Sequence, residues 1–179
     1  MSRIVRNFYR YCENFLDKND FDILSKIISQ YNDEKLETTC MQNRFNLKIT
    51  DTIISNILQK YTNKIRDITK NQFIYLAKNF PIEYRKYRIG SFMKKHRDTM
   101  VYKIPQYECV LTLYNSSDSY TIINDMTKIS TRENSLLIVK ANGVLHEVSP
   151  IQRGERKILK FIFTSTDHFA SSFNKSLLQ

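Results

Sequence analysis

The chain has 179 residues, of which 41% are hydrophobic and 26% charged, enough for one domain with a real core and unlike a disordered chain. Three Gly and three Pro exclude collagen-like and linker-like classes, and three widely spaced cysteines (Cys12, Cys40, Cys109) argue against a disulfide framework or a thiolate zinc site. The formal net charge is +10, with seven cations and two anions in residues 81–105, yet no Lys/Arg block has the length of a basic tail.

Three helices are predicted in the N-terminal third. The first carries Ile4, Val5, Phe8, Tyr11, Cys12, Phe15 and Leu16 at helical spacing. The second is capped by Asp20 and shows Phe21, Leu24, Ile28 and Tyr31 on one face. The third runs from an Asp51 cap through Ile54, Ile57, Leu58, Tyr61, Ile65 and Ile68. These stripes read as core-facing. Beyond residue 70 the texture changes to short β-rich runs: 72–77, 82–89, 107–114, 120–123, 135–139, 144–148 and 157–163. Turn-prone residues separate them, which points to a sandwich, jelly roll or barrel. The expected class is α+β in one domain over 1–179. It comprises a helical support region (1–70), a β core (71–166) and a C-terminal tail (167–179).

No βαβ alternation or Gly-rich phosphate loop is present. Residues 1–8 lack the apolar run of a signal peptide, and no stretch has the roughly 18 apolar residues of a membrane span. An intracellular, cytoplasm-like setting without a membrane partner is expected. The oligomeric state leaves no mark in the sequence.

His168 has no obvious partner and reads as a surface residue. His96 lies in Lys95-His96-Arg97-Asp98, and on an extended strand residues i and i+2 face one side. An imidazole and a carboxylate are then offered together. His146 follows 48 residues after Asp98, an interval long enough for strands to return the chain to the same place. Two His and one carboxylate with open positions make the facial triad of a non-haem Fe(II) site. Arg156, ten residues further, is suited to bidentate pairing with a carboxylate. The cations Arg85, Lys86, Arg88, Lys94, Lys95 and Arg97 add a local bias toward acidic ligands.

The ordered set Tyr87-Arg-Ile-Gly90…His96-Arg-Asp98, Ser135-Leu-Leu-Ile-Val139 and Leu145-His146-Glu-Val-Ser-Pro150…Gly154-Glu-Arg156 resembles the Fe(II)/2-oxoglutarate dioxygenase superfamily, most closely its prolyl 4-hydroxylase branch. The resemblance covers about residues 80–165. It implies a double-stranded β-helix (jelly roll) with His96, Asp98 and His146 as the catalytic metal ligands. It implies Arg156 for the distal carboxylate of 2-oxoglutarate, with Arg153 as a neighbouring alternative, and a hydroxyl from Tyr87 in the same pocket. Thr112 and Leu113 are candidates for its lining, with a core role at least as apt for Leu113. The implied cofactors are Fe(II), 2-oxoglutarate and O2, supported by ascorbate. The implied activity is hydroxylation of a peptide or protein substrate, with proline as the expected residue and succinate and CO2 as co-products. Family members often carry a Gly-Gly-acidic turn where this chain has Ser116-Ser-Asp-Ser119. That departure keeps open a non-catalytic binding module, and the basic run keeps open an oxygenase acting on nucleic acid.

Overall fold

The computed structural model describes residues 8–31 and 43–174, and the backbone of 37–38. Three helices, α1 (Lys18–Ser29), α2 (Thr52–Lys60) and α3 (Thr62–Thr69), lie among twelve strands. The strands are β1 (Tyr9–Cys12), β2 (Glu37–Thr38), β3 (Arg44–Ile49), β4 (Tyr75–Leu76), β5 (Ile82–Tyr87), β6 (Met93–His96), β7 (Tyr107–Asn115), β8 (Thr121–Ile123), β9 (Thr127–Ile129), β10 (Ser135–Lys140), β11 (His146–Val148) and β12 (Arg156–Thr164). They form two antiparallel sheets. The larger has the order β1-β10-β7-β12-β5-β3-β2, with β4 on the far end of β12, and the smaller has the order β6-β11-β8-β9.

The larger sheet separates two environments. Strand alternation sends Tyr107, Cys109, Leu111 and Leu113 of β7 and Leu159, Phe161 and Phe163 of β12 to one face. There they pack with Leu24, Ile54, Leu58 and Ile65 from the helices. Burying each such side chain contributes about 1.5–3 kcal/mol. The opposite face of the same strands, with Glu108 and Val110 on β7 and Arg156, Ile158 and Lys160 on β12, lines a cavity closed by the smaller sheet.

The N-terminal third is not the helical region expected. Tyr9–Cys12 is an edge strand paired with β10 in the register Tyr9↔Val139 to Cys12↔Leu136. Ile4 and Val5 lie outside the described residues. An apolar pattern at 8, 9, 11, 12, 15 and 16 fits two-sided burial on a strand as well as one helical stripe. Here Phe8 and Cys12 meet the main core while Tyr9 and Tyr11 pack on Leu137 and Val139. The alternation in Arg44-Phe-Asn-Leu-Lys-Ile49 is a strand signal, and β3 pairs with β5 over its whole length.

The second helix starts earlier than expected. Its cap is Asp17, whose Oδ1 accepts from the Asp20 backbone N–H at 2.8 Å. Asp20 sits buried in the first turn, where a carboxylate suits the positive helix end, and it accepts from Lys60 Nζ (2.7 Å) and Tyr61 Oη (2.8 Å). The Asp51 cap is present, bonding Ile53 and Ile54 N–H. The predicted long helix after it breaks into α2 and α3 at Tyr61 (φ −89°, ψ 9°). The broken turn leaves the Tyr61 hydroxyl joined to both Asp17 N–H and Asp20. No described helix is long and apolar enough to cross a membrane.

Candidate metal centre

The site is assembled from three kinds of chain. His96 ends β6, Asp98 lies just past it in irregular backbone, and His146 opens β11. Strands β6 and β11 pair with His96 opposite His146, and the ring centroids are 4.3 Å apart. Asp98 completes the triangle: its Oδ1 is 3.7 Å from His96 Nε2 and its Oδ2 is 3.6 Å from His146 Nε2. These gaps exceed hydrogen-bond length, so the groups share a centre without bonding each other. All three ligand atoms lie within 4.8 Å of one another.

Each imidazole is oriented by its own backbone. His96 Nδ1 is 2.8 Å from Lys94 O and His146 Nδ1 is 3.1 Å from Val144 O. A carbonyl only accepts, so Nδ1 carries the proton and the Nε2 lone pair faces the shared centre. Burial lowers the His146 pKa below the ordinary imidazole value, whereas the Asp98 carboxylate raises that of His96 against its own burial. Burial works to raise the Asp98 carboxyl, but His96, Lys160 and His146 outweigh it and hold it well below the usual range. Two imidazole lone pairs and one ionised carboxylate fit a divalent transition metal.

Arg156 opens β12 and lines the same cavity as Asp98 and His146. It is 4% exposed, its Nη1 is 3.5 Å from Thr121 Oγ1, and its Nε has no hydrogen-bond partner among the described residues. Burial depresses its pKa, opposed by Tyr87 and Tyr11. A buried guanidinium so poorly matched to its neighbours is poised for a carboxylate. Tyr87 is buried in the same cavity opposite Arg156 in the β5–β12 register. Burial would raise its phenol, but Arg85, Arg44 and Arg156 outweigh that and lower it.

The other candidates separate from this group. Arg153 is exposed and lies 3.7 Å from Asp118, outside the cavity. His168 is exposed. Leu113 belongs to the main core, and Thr112 is fully buried without lining the cavity. Arg85 and Lys86 of the basic run are engaged within the fold, whereas Lys94, Lys95 and Arg97 stand exposed with such partners as the surface offers. Arg85 bonds Glu83 (2.8 Å), Lys86 meets Glu155 (3.4 Å), Lys95 pairs with Asp125, and Arg97 Nε donates to Gly143 O (3.1 Å). Arg85, named only as part of the basic run, lines the cavity, as do Glu108 and Lys160, which sequence reasoning passed over. Their one signal is a charged residue inside an otherwise apolar strand.

The unusual 116–119 turn fastens the loop that precedes Arg156. Asp118 Oδ1 accepts from Gln152 and Arg153 N–H (2.9 and 3.2 Å), and Ser116 N–H donates to Glu155 O (3.0 Å). Gly154 has φ +75°, and a Cβ there would stand 2.3 Å from Ser116 O. Gly154→Ala is therefore expected to destabilise the fold by about 1–3 kcal/mol, read as a lower urea midpoint.

No protein-family model matches the sequence, and no curated protein does. Solved structures match clearly. A 2OG-Fe(II) oxygenase family oxidoreductase from Burkholderia pseudomallei superposes with TM-score 0.72 at 11% identity, over 93% of this chain and 87% of the other. A prolyl-4-hydroxylase of Pseudomonas putida gives TM-score 0.66 at 16% identity, over 89% and 94%. A Trichoplax adhaerens prolyl hydroxylase, solved with a peptide fragment of the oxygen degradation domain of hypoxia inducible factor, gives TM-score 0.68 at 13% identity, over 88% and 83%. The fold of this chain is that of the 2OG-Fe(II) oxygenases, the superfamily its ordered motifs resemble.

Proposed function

We propose that the protein is an Fe(II)- and 2-oxoglutarate-dependent dioxygenase that hydroxylates a peptidyl residue, with proline as the preferred target. The observation that supports this most directly is the cluster of His96, Asp98 and His146 at a cavity that Asp98, His146 and Arg156 line together. In this reading β5–β12, passing between the two sheets, form a double-stranded β-helix. When bound, Fe(II) and 2-oxoglutarate would supply the oxidising power, one atom of O2 entering a substrate C–H bond as 2-oxoglutarate is split to succinate and CO2.

The chain's own residues have simpler tasks. His96, Asp98 and His146 hold the metal from one side and leave its other positions open. Arg156 offers its guanidinium to the distal carboxylate, and the Tyr87 hydroxyl faces the same end. Val110, Leu137, Val139, Val148 and Ile158 give the cavity an apolar wall that keeps water from competing. The solved neighbours named as prolyl hydroxylases, one of them with a peptide fragment, support a peptide over nucleic acid as substrate.

The test is incubation of the purified chain with Fe(II), 2-oxoglutarate, ascorbate and a library of proline-containing peptides. Succinate should form together with peptides heavier by one oxygen atom. Metal binding without succinate formation on any peptide would support the binding-module reading instead.

A further inference from the structure

Asp98 is the one proposed ligand held by irregular backbone. Residues 97–101 belong to no strand, so their peptide groups must find partners elsewhere. Asn142 N–H donates to Asp98 O at 2.9 Å. Val101 O accepts from Ala170 N–H at 2.9 Å, and two further groups are met by one side chain. Gln106 Oε1 accepts from Val101 N–H (3.1 Å), and Gln106 Nε2 donates to Thr99 O (3.0 Å). Gln106 is 1% exposed, and its own backbone O accepts from Ala141 N–H at 2.9 Å. It thus ties the segment after Asp98 to the loop before His146.

An amide can do this in only one of its two orientations. The choice is made by Glu108, whose Oε1 accepts from Gln106 Nε2 at 2.9 Å. A carboxylate at that place repels an amide oxygen and requires the NH2 to face it. Glu108 is itself buried, and its charge is balanced by Lys160 Nζ, 2.9 Å from Oε2. Buried polar groups of this kind are costly, and Glu108 Oε2 meets Lys160 as an ion pair without an aligned hydrogen bond among the described residues.

We propose that Gln106 is a positioning residue for the metal ligand Asp98, kept in its working orientation by the Glu108–Lys160 ion pair. The inference rests on the metal-site reading above, and it assigns a role to three residues outside the proposed ligand set. Losing an outer-shell partner typically costs 10–100-fold in metal affinity.

The test measures Mn(II) affinity of the full chain by paramagnetic resonance, without co-substrate, alongside urea unfolding. Gln106→Leu, which changes no charge, should weaken Mn(II) by about 10–100-fold. Lys160→Met should also weaken it, although deleting a nearby cation would by Coulomb's law alone tighten it. Thr69→Val serves as the control. It removes a buried hydroxyl bond to Ile65 O (2.8 Å) on α3, and it should lower the urea midpoint while leaving Mn(II) affinity intact. Unchanged affinity in Gln106→Leu, or equal weakening in Thr69→Val, overturns the proposal. If Gln106→Leu does not fold, unchanged or tighter binding in Lys160→Met overturns it. Failure of the wild type to bind Mn(II) removes the metal-site reading itself.

Discussion

Arg156→Met raises the KM for 2-oxoglutarate steeply while leaving the unliganded protein at least as stable as the wild type. Truncating one partner of a buried charge pair costs about 2–5 kcal/mol, and each 1.4 kcal/mol is tenfold. The KM should therefore rise about 30-fold or more. The stability half follows from the same geometry. Arg156 is buried, its Nε is unsatisfied among the described residues, and burial depresses its pKa. An apolar residue of similar length removes that desolvation cost. The wild type regains the difference when a dicarboxylate binds, since a ligand that binds only the native state stabilises it by mass action. Steady-state kinetics with thermal melts, with and without 2-oxoglutarate, check both halves. A large melting shift by 2-oxoglutarate in Arg156→Met would show that the guanidinium is not the anchor.

Asp98→Ala has the larger effect on the metal. It removes the one charged ligand and leaves two imidazoles, of which burial keeps His146 a weak base. Metal affinity should fall by more than about 100-fold, beyond the usual cost of losing an outer-shell partner. Succinate formation should drop to background with every peptide. Mn(II) titration and succinate release measure the two effects separately. A variant that binds Mn(II) as the wild type does would relocate the metal. Asp98→Ala also removes a buried carboxylate that interacts with His96, His146 and Lys160, so the melt accompanies the titration.

Much of this site is legible in the sequence because it is carried by rare residue types. His96, Asp98, His146 and Arg156 stand in a spaced order in the sequence; the first three cluster, and Asp98, His146 and Arg156 line one cavity. The supporting relay is hidden for the opposite reason. Lys160 in Ile-Leu-Lys-Phe and Glu108 in Tyr-Glu-Cys are ordinary polar members of alternating strands. Only β12–β7 pairing, Lys160 beside Val110 and Ile162 beside Glu108, shows that their shared face is a cavity wall and not a wet surface. The misread N-terminus has a similar cause. Apolar residues at 8, 9, 11 and 12 satisfy two periods, and the open edge of β10, far away in sequence, decides between them. Asp17 displaced Asp20 as the cap because both are acidic and close together, and only the Lys60 and Tyr61 contacts, 40 and 41 residues away, explain why Asp20 is turned inward.

The placement of His96 at the outer strand of the smaller sheet gives the centre a direction. Among the described residues strand β6 has a neighbour on one side only, whereas β11, carrying His146, is bonded on both. Backbone at a sheet margin opens more readily than backbone within it. His146 thus stands on a strand bonded from both sides and His96 on a strand at the sheet margin. In the proposed metal site, an ion held by His96 and His146 together would join the margin of the sheet to its interior.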